Sequence, residues 1–171
     1  MKNAKKITRK IAWATSGLLL IGGLAGAQDN FFDGSTDNTW ETGTNWSLGI
    51  PPGSSGGAAG GHSFIDNGLT AVISNTQNPW VIHIGTGVNG AGTVIMDTGA
   101  NVSTSYLRFG RSGAGASYEG VNNMDGHVVM NAGTLNVSTE FNMGYIGSNA
   151  GDHTFTQNAG TTTVSAGNDI N

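Results

Sequence analysis

The chain has 171 residues, no cysteine, 29 glycines and only 11% charged residues. Without cysteine there is no disulfide and no thiolate metal site, and a glycine content far above the usual ~7%, with no Gly-x-y period, excludes collagen and favours short strands joined by tight turns. Five of the seven cations are Lys2, Lys5, Lys6, Arg9 and Lys10; beyond residue 27 only Arg108 and Arg111 face 11 acidic residues, a formal charge of −9 (2 − 11), which disfavours nucleic acid or anionic lipid as a partner.

Residues 1–27 start basic, pass through an apolar run with Leu18-Leu19-Leu20-Ile21, and end in Ala25-Gly26-Ala27. These are the three parts of a secretory signal peptide, and cleavage after Ala27 leaves Gln28 first. A membrane anchor is the alternative. The apolar run is short and broken by glycine, so no stable span is expected after cleavage. Residues 28–61 hold Phe31-Phe32, Thr39-Trp40, Asn45-Trp46-Ser47 and Pro51-Pro52, then a Gly/Ser/Ala run from 53 to 61. Large aromatics near the start of a repeat array can cover its first unit, which has no neighbour. This zone is therefore expected to be an N-terminal cap followed by a Gly/Ser-rich loop. A sugar-stacking platform is the alternative for Trp40 and Trp46.

Residues 62–171 are expected to form the repeats. Ser63-Phe64-Ile65, Ala71-Val72-Ile73 and Trp80-Val81-Ile82-His83-Ile84 are short strand candidates between turn signals such as Asp66-Asn67-Gly68. His83 alternates with Ile82 and Ile84, so it is expected on the opposite face, solvated or stacked. Further on, Asn131-Ala132-Gly133-Thr134-Leu135-Asn136-Val137-Ser138 matches Asn158-Ala159-Gly160-Thr161-Thr162-Thr163-Val164-Ser165 at six of eight positions, 27 residues apart. A looser copy runs from Asp97 to Ser103. Each copy follows a β-rich run, and the first two precede another, Tyr106–Phe109 and Phe141–Ile146.

Self-similarity at this period is the signature of stacked repeats. Strand, Gly turn, strand, short turn, strand and loop make one unit. The expected fold is all-β: a right-handed parallel β-helix of about four coils. Val94, Met96, Val102, Leu107, Val128, Met130, Val137 and Val164 are its inward columns. Asn131 and Asn158, with Asp97 aligned to them, are candidates for an amide ladder, and Gly99, Gly133 and Gly160 for positive-φ corners. A β-sandwich does not require an eight-residue phrase at a fixed place in each unit, a propeller blade needs about 40 residues or more, and no Gly-Gly-x-Gly-x-Asp calcium roll is present.

The stretch Thr39-Trp40 … Asn45-Trp46-Ser47 … Pro51 resembles the start of bacterial exported β-helix proteins related to autotransporter passengers and to surface proteins with a C-terminal sorting tag. The phrases VVMNAGTLNVS and TFTQNAGTTTVS are similar to repeats of those proteins. The resemblance implies export to the outer surface of a bacterium or its medium, and a structural or adhesive role, with no catalytic residues to carry over. The chain departs from the pattern in having no barrel or sorting tag and stopping at Asn171 within a repeat, which reads as truncation.

For chemistry, a lyase or hydrolase on this frame needs converging acids and bases. Asp97 aligns with the repeat turns, Glu140, Asp125 and Asp152 sit beside loops, His127 and His153 occupy what look like equivalent positions, and Arg108 and Arg111 flank Gly110 at a loop edge. No catalytic, cofactor or metal site is expected. The primary reading is a non-catalytic secreted or cell-surface segment whose partner is a polysaccharide or a host or neighbouring cell surface. The alternative is a glycan-binding face built from Trp40, Trp46, Trp80, Tyr106 and Tyr145, with Tyr118 beside them. A second alternative is a fragment of a β-helix polysaccharide lyase or glycosidase.

Overall fold

The structure is a computed structural model and describes residues 29–53, 61–86, 90–110, 125–144 and 151–165. Residues 1–27, where a signal peptide is expected, most of the Gly/Ser/Ala run, and Arg111, Tyr118 and Tyr145 lie outside the described residues. The chain is nearly all β. Its strands are β1 (Asp29–Phe31), β2 (His62–Ile65), β3 (Leu69–Ile73), β4 (Thr76–Gln77), β5 (Val81–Ile84), β6 (Gly92–Met96), β7 (Asn101–Phe109), β8 (Gly126–Met130), β9 (Thr134–Met143), β10 (Thr154–Gln157) and β11 (Thr161–Val164). A single 3-10 turn, Gly43–Asn45, is the helical element among the described residues.

Every pairing between these strands is parallel. One sheet runs β3-β6-β8-β10, and the other runs β1-β2-β5-β7-β9-β11 with β4 paired to β7. The order within each sheet follows the chain, because each segment pairs with its equivalent in the next repeat. Gly92 pairs with Gly126, and His127 with Thr154. Thr134 pairs with Thr161, which reproduces the 27-residue offset of the sequence phrases.

Parallel pairing in register keeps side-chain parity along each column, because successive residues of a strand point to opposite faces. In the shorter sheet, Ala71, Val94 and Val128 form one buried column, and Ile73, Met96 and Met130 form another. In the longer sheet, Ile82, Leu107 and Phe141 are buried in register, as are Ile84 and Phe109. All of these belong to one apolar cluster, against which Val164 and Phe155 are partly buried. At one end Phe32, Trp40 and Trp46 join the same cluster beside Ile65, Ala71 and Ile73.

The turn after the short sheet is where the repeats are most alike. Asn131 Nδ2 donates to Asp97 Oδ1 at 3.0 Å, and Asn158 Nδ2 donates to Asn131 Oδ1 at 2.9 Å, so the three aligned residues form a side-chain ladder. Gly133 sits at φ +87°, and a Cβ there would run into the carbonyl oxygen of Ala100 in the repeat below. Its replacement is therefore blocked twice, by conformation and by the closeness of the stacked turns.

Two expectations need correction. The second and third strands of a unit are not separate: β7 and β9 run through both and bend at a register shift between Thr104 and Tyr106. Within this pair of strands Val102 is opposite Leu135, since the Asp97–Ala100 turn is one residue longer than Asn131–Gly133, and β9 takes up the difference by placing Ser138 and Thr139 opposite Ser105 alone. His127 is equivalent to Thr154, not to His153. Its Nδ1 lies 2.8 Å from Thr154 Oγ1, whereas His153 sits one place earlier and accepts the Gly126 N–H at 3.2 Å.

Two glycine substitutions check the stacked-turn account. Gly133→Ala is expected to cost about 3 kcal/mol in urea unfolding, combining left-handed strain with a backbone collision. Gly68→Ala, at φ +74° with open space around it, is expected to cost only the strain, about 1 kcal/mol. Equal costs would remove the inter-repeat contact from the explanation.

Candidate functional site: a tryptophan-walled polar groove

The register shift in β9 opens the surface where the long sheet turns its corner. A bulge re-aims side chains and interrupts the ladder, and here it lies beside the Asn78-Pro79-Trp80 connection that leads from β4 into β5. The result is a groove of about 410 Å³ lined by Asn78, Pro79, Trp80, Ser103, Thr104, Ser105, Asn136 and Ser138. Among the described residues, no charged side chain lines it. Ser103 and Asn136 are register partners and both point outward, in line with the outward parity of their strands.

Trp80 is held by its backbone and presented by its side chain. Its carbonyl oxygen accepts the N–H groups of Ser105 at 3.0 Å and Tyr106 at 3.2 Å, and the Thr104 hydroxyl at 3.0 Å. Thr104 faces inward, so this bond also satisfies a hydroxyl that burial would otherwise leave costly. The indole remains 40% exposed. It meets the Tyr106 ring edge-on at 5.7 Å and the His62 ring at 5.5 Å.

Behind Tyr106 the wall is fixed by a charge pair. The Arg108 guanidinium lies 4.2 Å from the centre of the Tyr106 ring. Its Nε and Nη2 donate to the two carboxylate oxygens of Glu140 at 2.7 and 2.8 Å. Two-point pairing of this kind fixes both planes. Arg108 does not solvate a loop edge as expected from its place before Gly110. Register puts it diagonal to Glu140, because Tyr106 is opposite Glu140 and Arg108 opposite Asn142.

The residues expected to touch glycan separate into three groups. Trp80 and Tyr106 come together, Trp80 lining the groove and Tyr106 packed against its ring outside the lining. Tyr145 lies outside the described residues. Trp40 and Trp46 are 0% and 2% exposed and belong to the core, so they offer no stacking platform. Their rings cross at 4.6 Å, and both indole N–H groups bond inside the fold, Trp40 to Pro52 O at 3.3 Å and Trp46 to Trp40 O at 2.7 Å. His83 is on the outward face of its strand and takes the stacked one of the two expected settings, buried on Phe64 at 4.6 Å with 7° between planes and 3.1 Å from His62 Nδ1. Of the groove residues, Asn78 carries no motif, while Ser103, Asn136 and Ser138 lie in the repeat phrases, which signal turns and strands and not a site. Alternation alone marks Ser103 and Asn136 as outward, and their meeting depends on register.

Elsewhere the acids serve the fold. Asp66 accepts the N–H and hydroxyl of Thr86, and burial pushes its carboxyl above the ordinary value despite those bonds. Asp37 is the opposite case: the Thr39 N–H and the Asn45 amide hold its carboxyl below the ordinary value. Asp125 accepts the N–H of Asp152. Among the described residues no group of three or more His, Cys, Asp or Glu is placed to hold a metal ion, and no helix is long and apolar enough to cross a membrane. Comparison with known proteins found no matching family model, no matching curated protein and no matching solved structure.

The contrast between the tryptophans is directly measurable. Trp40→Ala is expected to cost about 3–5 kcal/mol of stability, and Trp80→Ala less than about 1 kcal/mol. A second prediction concerns pH. Burial lowers His153 below its ordinary 6.5, so the unfolded chain takes up this proton first as pH falls. The stability His153 contributes is complete above about pH 6.5 and is lost as pH drops toward the depressed folded value. Chemical unfolding at pH 7.5 and 5 should therefore show a decrease that His153→Gln makes smaller; an unchanged pH slope in the variant would assign the dependence to other groups.

Proposed function

We propose that this chain is an exported, non-catalytic surface module whose strands wind as a right-handed parallel β-helix, and that it acts as a structural or adhesive segment of the kind its repeats resemble. The observation that carries this reading is the uniform parallel pairing of each segment with its own equivalent 27 to 34 residues on, through β6, β8, β10 and β7, β9, β11. Hairpin-built sheets pair neighbours antiparallel, whereas a coil that returns over itself pairs repeats in parallel. In this reading Phe32, Trp40 and Trp46 are the cap over the first coil, and residues 1–27 are the export signal.

The non-catalytic part of the reading rests on how the acids are used. Glu41, Asp66, Asp97, Asp125 and Glu140 each accept a hydrogen bond from the fold itself. Carboxylates committed in this way orient turns and ladders. A hydrolase needs two of them facing a shared space.

Both parts have a test. Repeat arrays tolerate insertion of a whole unit, because each unit contacts only its neighbours. Duplicating residues 131–157 in tandem should give a folded protein longer by one strand spacing, about 4.8 Å, and at least as stable. A closed sandwich would be disrupted by the same insertion, and loss of cooperative folding would overturn the β-helix. For export, the chain expressed in a Gram-negative bacterium is expected outside the cytoplasm with Gln28 as its first residue. A cytoplasmic product retaining residues 1–27 would overturn that part.

A further inference from the structure

We propose that the groove beside Trp80 is a binding site for a neutral polysaccharide, with the indole as its stacking platform. This goes beyond the structural role above and rests on the described residues alone, so it holds or fails independently of export.

The first argument is the pairing of rigidity with exposure. A large aromatic left 40% exposed loses apolar contact that the core would provide. Here the three donors to the Trp80 carbonyl fix the backbone from which the ring projects. Tyr106 braces the ring edge, and the Arg108–Glu140 pair braces Tyr106. A ring held in one place binds with little further loss of entropy, which is how aromatic anchors contribute affinity.

The second argument is the chemistry of the rest of the groove. Ser103, Ser105 and Asn136 offer hydroxyls and an amide, each able to donate and accept. A sugar ring presents a hydroxyl on most of its carbons and an apolar C–H face between them, so one indole and several small polar groups match it. A peptide of apolar side chains would need pockets that these residues do not provide. The lining among the described residues is uncharged, which fits a neutral sugar. The nearby Arg108 adds no attraction for uronic acids, because its charge is already paired with Glu140.

The third argument is direction. Ser103, Asn136 and Thr163 are register partners on β7, β9 and β11, and all three are outward. They stand one strand spacing apart, about 4.8 Å, in a row that leads away from Trp80. A groove open at its end and continued by a polar row suits a chain polymer better than a single sugar.

The test screens the full chain against immobilised neutral oligosaccharides (glucan, mannan, xylan and chitin fragments), with polygalacturonate and a polyproline peptide alongside. Hits are titrated by tryptophan fluorescence. The expected result is saturable binding to at least one neutral class, with weaker binding to polygalacturonate. Trp80→Ala should weaken it about 10-fold or more, Trp80→Phe should restore part of it, and Asn136→Ala should weaken it about 3-fold or more. The thermal midpoints of all three variants should stay within about 3 °C of the parent. Absence of neutral-sugar binding would overturn the proposal. So would binding that Trp80→Ala leaves intact, or a preference for polygalacturonate or polyproline.

Discussion

Parallel register between equivalent segments is the constraint on which everything else in this molecule rests. A strand's side chains alternate between two faces, so a shift of one residue between neighbouring strands would put a polar row inside and an apolar row outside. Because Val94 stands over Ala71 and Val128 over Val94, one column stays dry through successive repeats. The same rule keeps Ser103 and Asn136 wet. Backbone groups that a lone strand would leave open are satisfied by the neighbouring repeat.

Where the spacing of the repeats is unequal, the register is kept by local adjustment, and the candidate groove lies there. The Asp97–Ala100 turn carries an extra residue relative to Asn131–Gly133. Parity survives because β9 places two residues, Ser138 and Thr139, opposite Ser105 before Tyr106 and Glu140 come into line. Ser105 and Ser138, on either side of that adjustment, line the same groove as Asn78 and Trp80.

The aromatic residues show how the same side-chain chemistry is divided by position. Trp40 and Trp46 close the core at one end, and their N–H groups find carbonyls within the fold, which removes the cost of burying them. Trp80 has its carbonyl, not its ring nitrogen, tied to the fold, and its ring is left at the surface. Acidic residues divide similarly: Asp97 continues an amide ladder, Glu140 neutralises Arg108, and Asp66 caps a buried Thr86.

Local chemistry was enough to read a great deal. The Asn-Ala-Gly phrase at residues 131 and 158 located two equivalent turns, because a tight corner demands a positive-φ glycine and a stackable amide whatever surrounds it. Alternation named the inward residues Val94, Met96, Val128 and Met130, since parity is a property of one strand. It also marked Asp97 as a ladder residue. Three things depended on neighbours distant in sequence and emerged only on folding. Arg108 is two residues before Gly110 in the chain, yet its partner Glu140 is 32 residues away. Val102 resembles Val137 in its local phrase, yet pairing assigned it to Leu135, because the turn length rather than residue similarity sets register. And nothing in composition separates Trp40 from Trp80: one is covered by elements brought to it from across the fold, and the other is not.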